Sequence, residues 1–229
     1  MFQGGGVSSL TIGNAVIRSF FGYVYVIPIL CLYFFFLHID GKGQRKAHIA
    51  AAFLFCFYVT SILTVAGIGG LVVFSPKVVI TPFVDMVNGP VDTFLNIVMF
   101  IPMGLFLPLM FDRYRTMKRV LFAGFVLSAM IECVQMFGMG YSDINDLMTN
   151  TFGSFIGYKL YWLISDNTPP GLSKPFKAVG ICDSVELLLF WMYSFLVMMS
   201  FQPYTIRALF GWEKARLIFA AALRNSIMT

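Results

Sequence analysis

The sequence predicts an all-α protein, a polytopic transmembrane helical bundle of about six spans with room for a C-terminal amphipathic helix. Three observations predict it. The first is composition: 59% of the 229 residues are hydrophobic and 12% are charged, whereas an ordinary soluble domain has roughly 25% charged residues. The second is patterning, since the apolar runs are continuous rather than alternating, which argues against a transmembrane β-barrel. The third is length. Six runs approach the roughly 20 residues needed to cross the hydrocarbon core, and the short loops between them favour antiparallel neighbours.

The spans are expected over residues 20–37, 47–67, 93–111, 120–137, 146–164 and 184–201. The first is an aromatic-rich run that stops at a loop holding Lys42, Arg45 and Lys46. The second follows that loop and ends near Gly67. The third contains Pro102, which removes a backbone donor and crowds the preceding turn, so a kink is expected there and a second bend at Pro108. The fourth follows the basic loop of Arg113, Arg115, Lys118 and Arg119. The fifth ends at the Pro-rich turn DNTPPGLSKPFK, with Lys174 and Lys177, and the sixth precedes a basic tail. Three regions result: 1–80, an N-terminal hairpin and outer loop; 81–165, the motif-bearing helices; and 166–229, a C-terminal segment and tail. No internal repeat or low-complexity linker separates them.

Charge orients the spans. The basic loops should be cytoplasmic, because positive residues are retained on that side. The connection 71–91 holds only Lys77 and 138–145 holds no cation, so both should face outward. The tail opposes this scheme, since six spans would carry Arg207, Lys214, Arg216 and Arg224 outside. Ile206, Leu209, Phe210, Leu217 and Ala220 instead fit an amphipathic helix lying on a membrane surface.

Several classes of function drop out. The net charge of +5 reads as topology bias, and no basic face is interleaved with exposed aromatics, so no nucleic acid is expected. Cys31, Cys56, Cys133 and Cys182 lack metal spacing and read as packing residues. His38 and His48 flank the first basic loop, where exposure is expected. The N-terminus lacks the charged start and small-residue cleavage site of a signal peptide. There is no phosphate-binding Walker loop, HExxH or GxSxG motif. No metal or cofactor is expected, although two carboxylates from different helices could hold a cation.

The candidate site is a set of polar residues inside apolar segments. Ionisable groups at membrane depth are costly and usually functional. With alternating helix direction, Asp92 and Asn96, then Glu132 and Gln135, then Asp146 and Asn150 all fall towards the outer ends of their helices. Spacings of three and four put Asp92 with Asn96, Ser128 with Glu132 and Gln135, and Asp143 with Asp146, Asn150 and Ser154 on single faces. Three such stripes could line an outward-opening cavity. Such side chains also form interhelical bonds purely for packing. Asp143 also suits a helix N-cap, with Asp146 in the first turn. Glu132 stands out because its run, AGFVLSAMIECVQMF, is otherwise apolar; buried there, it could donate or accept a proton. Gly153 and Gly157 form a GxxxG with Thr149 one step earlier, a small-residue stripe for close helix packing.

The runs DTFLNIVMFIPMGLFLPLMF, MIECVQMFG and SDINDLMTNTFGSFIGYKLYWLI together resemble the VanZ-like family in order and spacing, over about residues 81–164. Asn96, Pro102 and Gly104 match its first motif, Glu132 and Gln135 its second, and Asp143, Asp146, Asn150, Gly153 and Gly157 its third. One feature departs: members often carry an Arg just before the SDINDL-type run, and residues 138–142 contain none. The resemblance implies a multi-pass protein of the bacterial cytoplasmic membrane and links it to glycopeptide (teicoplanin-type) resistance. The function expected first is a cell-envelope factor that binds or masks an amphiphilic molecule at the outer leaflet, with membrane lipids or a lipid-linked envelope molecule as partner. The candidate site would be Asn96, Glu132, Gln135, Asp143, Asp146 and Asn150. A membrane enzyme acting on a lipid-linked precursor is the alternative, and a small transporter the third. Self-association is left open.

Overall fold

Every expected span forms a helix in the computed structural model, which describes residues 9–69, 78–79, 81, 89–137, 142–169 and 171–209. The helices are α1 (Ser9–Ile39), α2 (Lys46–Val65), α3 (Pro90–Met110), α4 (Met117–Gln135), α5 (Ile144–Asp166) and α6 (Asp183–Leu196). Among the described residues, four are long and apolar enough to cross a membrane: α1 over Ala15–Ile39, α2, α3, and α6 with its extension over Asp183–Leu209. The helices carrying the Glu132 and Asp146 stripes, α4 and α5, are not among the four.

Termini follow local chemistry. Pro90 opens α3, where its missing N–H costs nothing. Asp143 caps α5 by accepting from Asn145 N–H, and Asp146 lies in the first turn, favourable to the helix dipole. The helix α6 passes through a π-helical turn at Val197–Phe201 and continues to Leu209. Pro203 supplies the cause, since its ring crowds the carbonyl four residues back and a widened turn relieves the clash. Of the expected amphipathic tail helix, Ile206 and Leu209 therefore belong to the extension of α6, and the part beyond Leu209 lies outside the described residues.

Two groups of helices share the apolar core. In one, α1, α2 and α6 pack through Leu30, Phe55, Leu63, Phe190 and Met198, all fully or almost fully buried. In the other, α5 lies between α3 and α4. The groups meet where α2 touches α3, with Phe55 and Tyr58 both against Phe106.

The ends of the bundle differ in charge. At one end the basic loops are tied together: Gln44 Nε2 donates to Val179 O at 2.6 Å, Arg45 donates to Lys174 O, and Arg113 N–H donates to Asp183 Oδ2 at 2.7 Å. Lys177 is buried there; its Nζ donates to Pro108 O at 2.6 Å and pairs with Asp112 at 3.1 Å. Burial lowers its pKa, and pairing with Asp112 opposes that shift.

Two expectations need correction. His48 is not exposed but fully buried: Nδ1 lies 2.8 Å from Phe176 O and Nε2 3.2 Å from Glu186 Oε1, which also accepts from Tyr33 OH. A carbonyl can only accept, so Nδ1 carries a proton. The cysteines are not uniformly packing residues, since Cys56 is buried whereas Cys31, Cys133 and Cys182 are exposed. One element was not foreseen: β1 (Val78–Val79) pairs in parallel with β2 (Ser142–Asp143) at the other end of the bundle.

Candidate functional site

At the end opposite the basic loops, α5 brings the polar stripes together. Its glycines make this closeness attainable. A Cβ on Gly153 would run into the Ile97 carbonyl, and one on Gly157 into that of Ile101. On α3, a Cβ on Gly104 would strike the Ser154 carbonyl. With no side chains there, the two backbones touch, as small-residue stripes permit. On its other face α5 meets α4 in steps of one helical turn. Ser154 fits against Gly124, Asn150 Nδ2 donates to Ser128 Oγ at 2.9 Å, and Glu132 reaches the chain entering α5.

The acidic residues gather around that entry. Glu132, 6% exposed, accepts from Asp143 N–H through Oε2 at 2.8 Å. Asp143 Oδ1 accepts from Asn145 N–H at 2.8 Å and from Asn145 Nδ2 at 2.9 Å. Asn96 Nδ2 crosses from α3 to Asp146 Oδ1 at 2.6 Å. Asn96, Glu132, Asp143, Asp146 and Asn150 therefore occupy one region. Gln135 points elsewhere, with its Nε2 donating to Ala66 O at 3.0 Å and so tying α4 to the end of α2.

The bonds leave acceptors in excess. Asn150 is 5% exposed, and its Oδ1 has no partner among the described residues. The named side chains of the cluster are all acidic or neutral, while the ion pairs of Lys42, Arg115 and Lys177 lie at the basic end. Such a region suits a ligand presenting hydrogen-bond donors or positive charge.

Several contributors were not among the expected site residues. Asn145 is 3% exposed and also donates to Thr81 O at 3.1 Å, so it anchors the segment before α3. Ser142 and Thr149 are buried beside it. Their signal was present as polar residues at helical spacing within SDINDLMTN, but small hydroxyls are too common in loops and helices to stand out. The His48–Glu186–Tyr33 node at the far end had a clearer signal, an acid opening the apolar run VELLLFW.

The fold and this region define a helical membrane protein with a polar, acceptor-rich cluster at one end of its bundle. The chain belongs to the VanZ/LLP1 family, whose model matches residues 21–165. It is 37% identical over 97 residues to Protein VanZ of Enterococcus faecium, covering 42% of this chain and 60% of that protein. The match thus spans less than two thirds of the relative. No solved structure matches. The family match includes most of α1, well before the motif-bearing stretch, and stops short of α6.

Proposed function

We propose that this protein is a cell-envelope factor of the bacterial cytoplasmic membrane that binds or masks an amphiphilic or lipid-linked molecule at the outer leaflet. By family, the reading connects it with glycopeptide resistance of the teicoplanin type. The observation that supports it most is the buried Asn150 Oδ1, without a partner among the described residues and one helical turn from the Asp146 and Glu132 carboxyls. Buried polar groups are almost always paired, so an orphan acceptor among carboxyls asks for a donor from outside the protein. The exposed apolar surface of the same helices, including Phe94, Met148 and Phe152, would meet the acyl part of such a ligand. In this reading Glu132 and Asp146 receive the polar head group, and Asn96 and Asn150 orient it.

The test is a teicoplanin susceptibility assay on a sensitive host expressing the full chain. The wild type should raise the inhibitory concentration, and Glu132→Gln should return it to the empty-vector value at equal membrane expression. Gln keeps the acceptor that Asp143 N–H uses, so the loss would report on charge rather than folding. Full resistance in Glu132→Gln would remove the residue from the mechanism.

The gathering of Glu132, Asp143 and Asp146 around one helix start favours a second reading, a membrane enzyme using a carboxyl pair as acid and base. That reading requires turnover of a lipid-linked precursor by purified protein. Stoichiometric binding with no product would favour the first.

A further inference from the structure

One contact bears on the site from a distance. Tyr58 of α2 inserts its hydroxyl into the backbone of α3. It donates to Met99 O at 2.7 Å and accepts from Met103 N–H at 3.2 Å. These two groups bond each other in an unbroken α-helix. Pro102 lies within the same turn, lacking the N–H that the Val98 carbonyl would accept. A side chain entering the hydrogen-bond ladder beside a proline is a recognised cause of helix bending. Tyr58 enters on the face turned away from α5, since Ile97 O and Ile101 O, on the other face, rest against Gly153 and Gly157.

We propose that Tyr58 is a positioning residue for the polar cluster: by bridging Met99 and Met103 it bends α3 around α5 and so holds Asn96 against Asp146. Opening a helix on one face makes that face convex, so a bend at this bridge turns the concave side towards α5. A straighter α3, still seated at Gly104 and Gly157, would splay from α5 at the end that carries Asn96. Asn96 lies about five residues from the bridged turn, a lever of roughly 7 Å. A change of about 20° there would move it by roughly 2.5 Å. That displacement is as long as the Asn96–Asp146 bond itself, 2.6 Å. The inference rests on the cluster being the functional site, and it adds that α2 controls its geometry through a residue outside the cluster.

The test uses the full chain in lipid nanodiscs with its four cysteines replaced. Spin-label pairs are placed at exposed positions, Val91 with Met148 at the cluster end and Arg113 with Leu163 at the basic end. Tyr58→Phe should lengthen the first distance by about 2 Å, the displacement expected from loss of the bend, and leave the second unchanged. 4-Aminophenylalanine at position 58 retains a donor and should restore the wild-type distance, whereas 4-methylphenylalanine should not. These two replacements decide the matter if Tyr58→Phe does not fold. Equal cluster-end distances in all variants would overturn the positioning role and leave the site reading to the Glu132→Gln assay. A shifted distance together with full resistance in Glu132→Gln would support the positioning role and overturn the site reading.

Discussion

Single residues matter most here where a polar group is buried. The node of His48, Glu186 and Tyr33 joins α2, α6 and α1 through Glu186 Oε1. Removing one partner of a buried polar pair leaves the other unpaired at a cost of a few kcal/mol. Glu186→Ala should lower stability by about 3 kcal/mol, read by denaturant titration in mild detergent. His48→Ala in the Glu186→Ala background should cost less than His48→Ala alone, because the partner is already gone. Additive losses would mean that the two side chains do not interact. Lys177 supplies a pH dependence. Its folded pKa lies below its unfolded value, so the folded state binds fewer protons than the unfolded chain between the two. Stability should therefore rise with alkaline pH through that window. Lys177→Met should flatten the rise, which melting curves at a series of alkaline pH values would detect. It should also lower stability at neutral pH, because Pro108 O loses its donor.

Among the elements, α5 is the most constrained. Its glycines let α3 approach, its Ser154 fits against Gly124 of α4, and its first turn collects the carboxyls. A Cβ at Gly157 would meet backbone atoms of Ile101 and Gly104, which cannot rotate aside. Gly157→Ala should cost about 1–3 kcal/mol or more through overpacking and should separate α3 from α5. Thermal stability of the purified protein would report the first effect. Gly41→Ala is a control: no neighbour lies within 4 Å there, and only the strain of φ 73° opposes the side chain. A larger loss at Gly41 than at Gly157 would mean that close packing is not what the GxxxG provides. Pro102, where a kink was expected, lies in the bridged turn of α3, but the inserted Tyr58 had no sequence signal. A Tyr in an apolar run reads as packing until its neighbour's backbone is known.

At the scale of the molecule, charge asymmetry and helix direction give the bundle two unlike ends. Its own cysteines can test the orientation. Exposed Cys133 lies near the cluster end of α4, and exposed Cys182 lies beside the basic loops. A membrane-impermeant maleimide applied to intact cells should modify Cys133, and Cys182 should react only after permeabilisation. The reverse pattern would invert the topology and put the cluster in the cytoplasm.

Several features followed from the sequence alone because they depend on composition and on spacing along one helix. The six apolar runs, the Asp143 cap, the small-residue face of Gly153 and Gly157, and the family motifs are local patterns with strong physical causes. The site was legible to the extent that helix direction is alternating, which sends Asn96, Glu132 and Asp146 to the same end of the bundle. Which of them meet was decided by the tertiary structure. Gln135 shares a face with Glu132 yet turns to Ala66, because rotation about the helix axis places it towards α2. His48 is buried because residues far along the chain, Phe176 and Glu186, fold back over it. Periodicity reports which side chains share a face. It does not report what that face is packed against, and the chemistry of this protein depends on those neighbours.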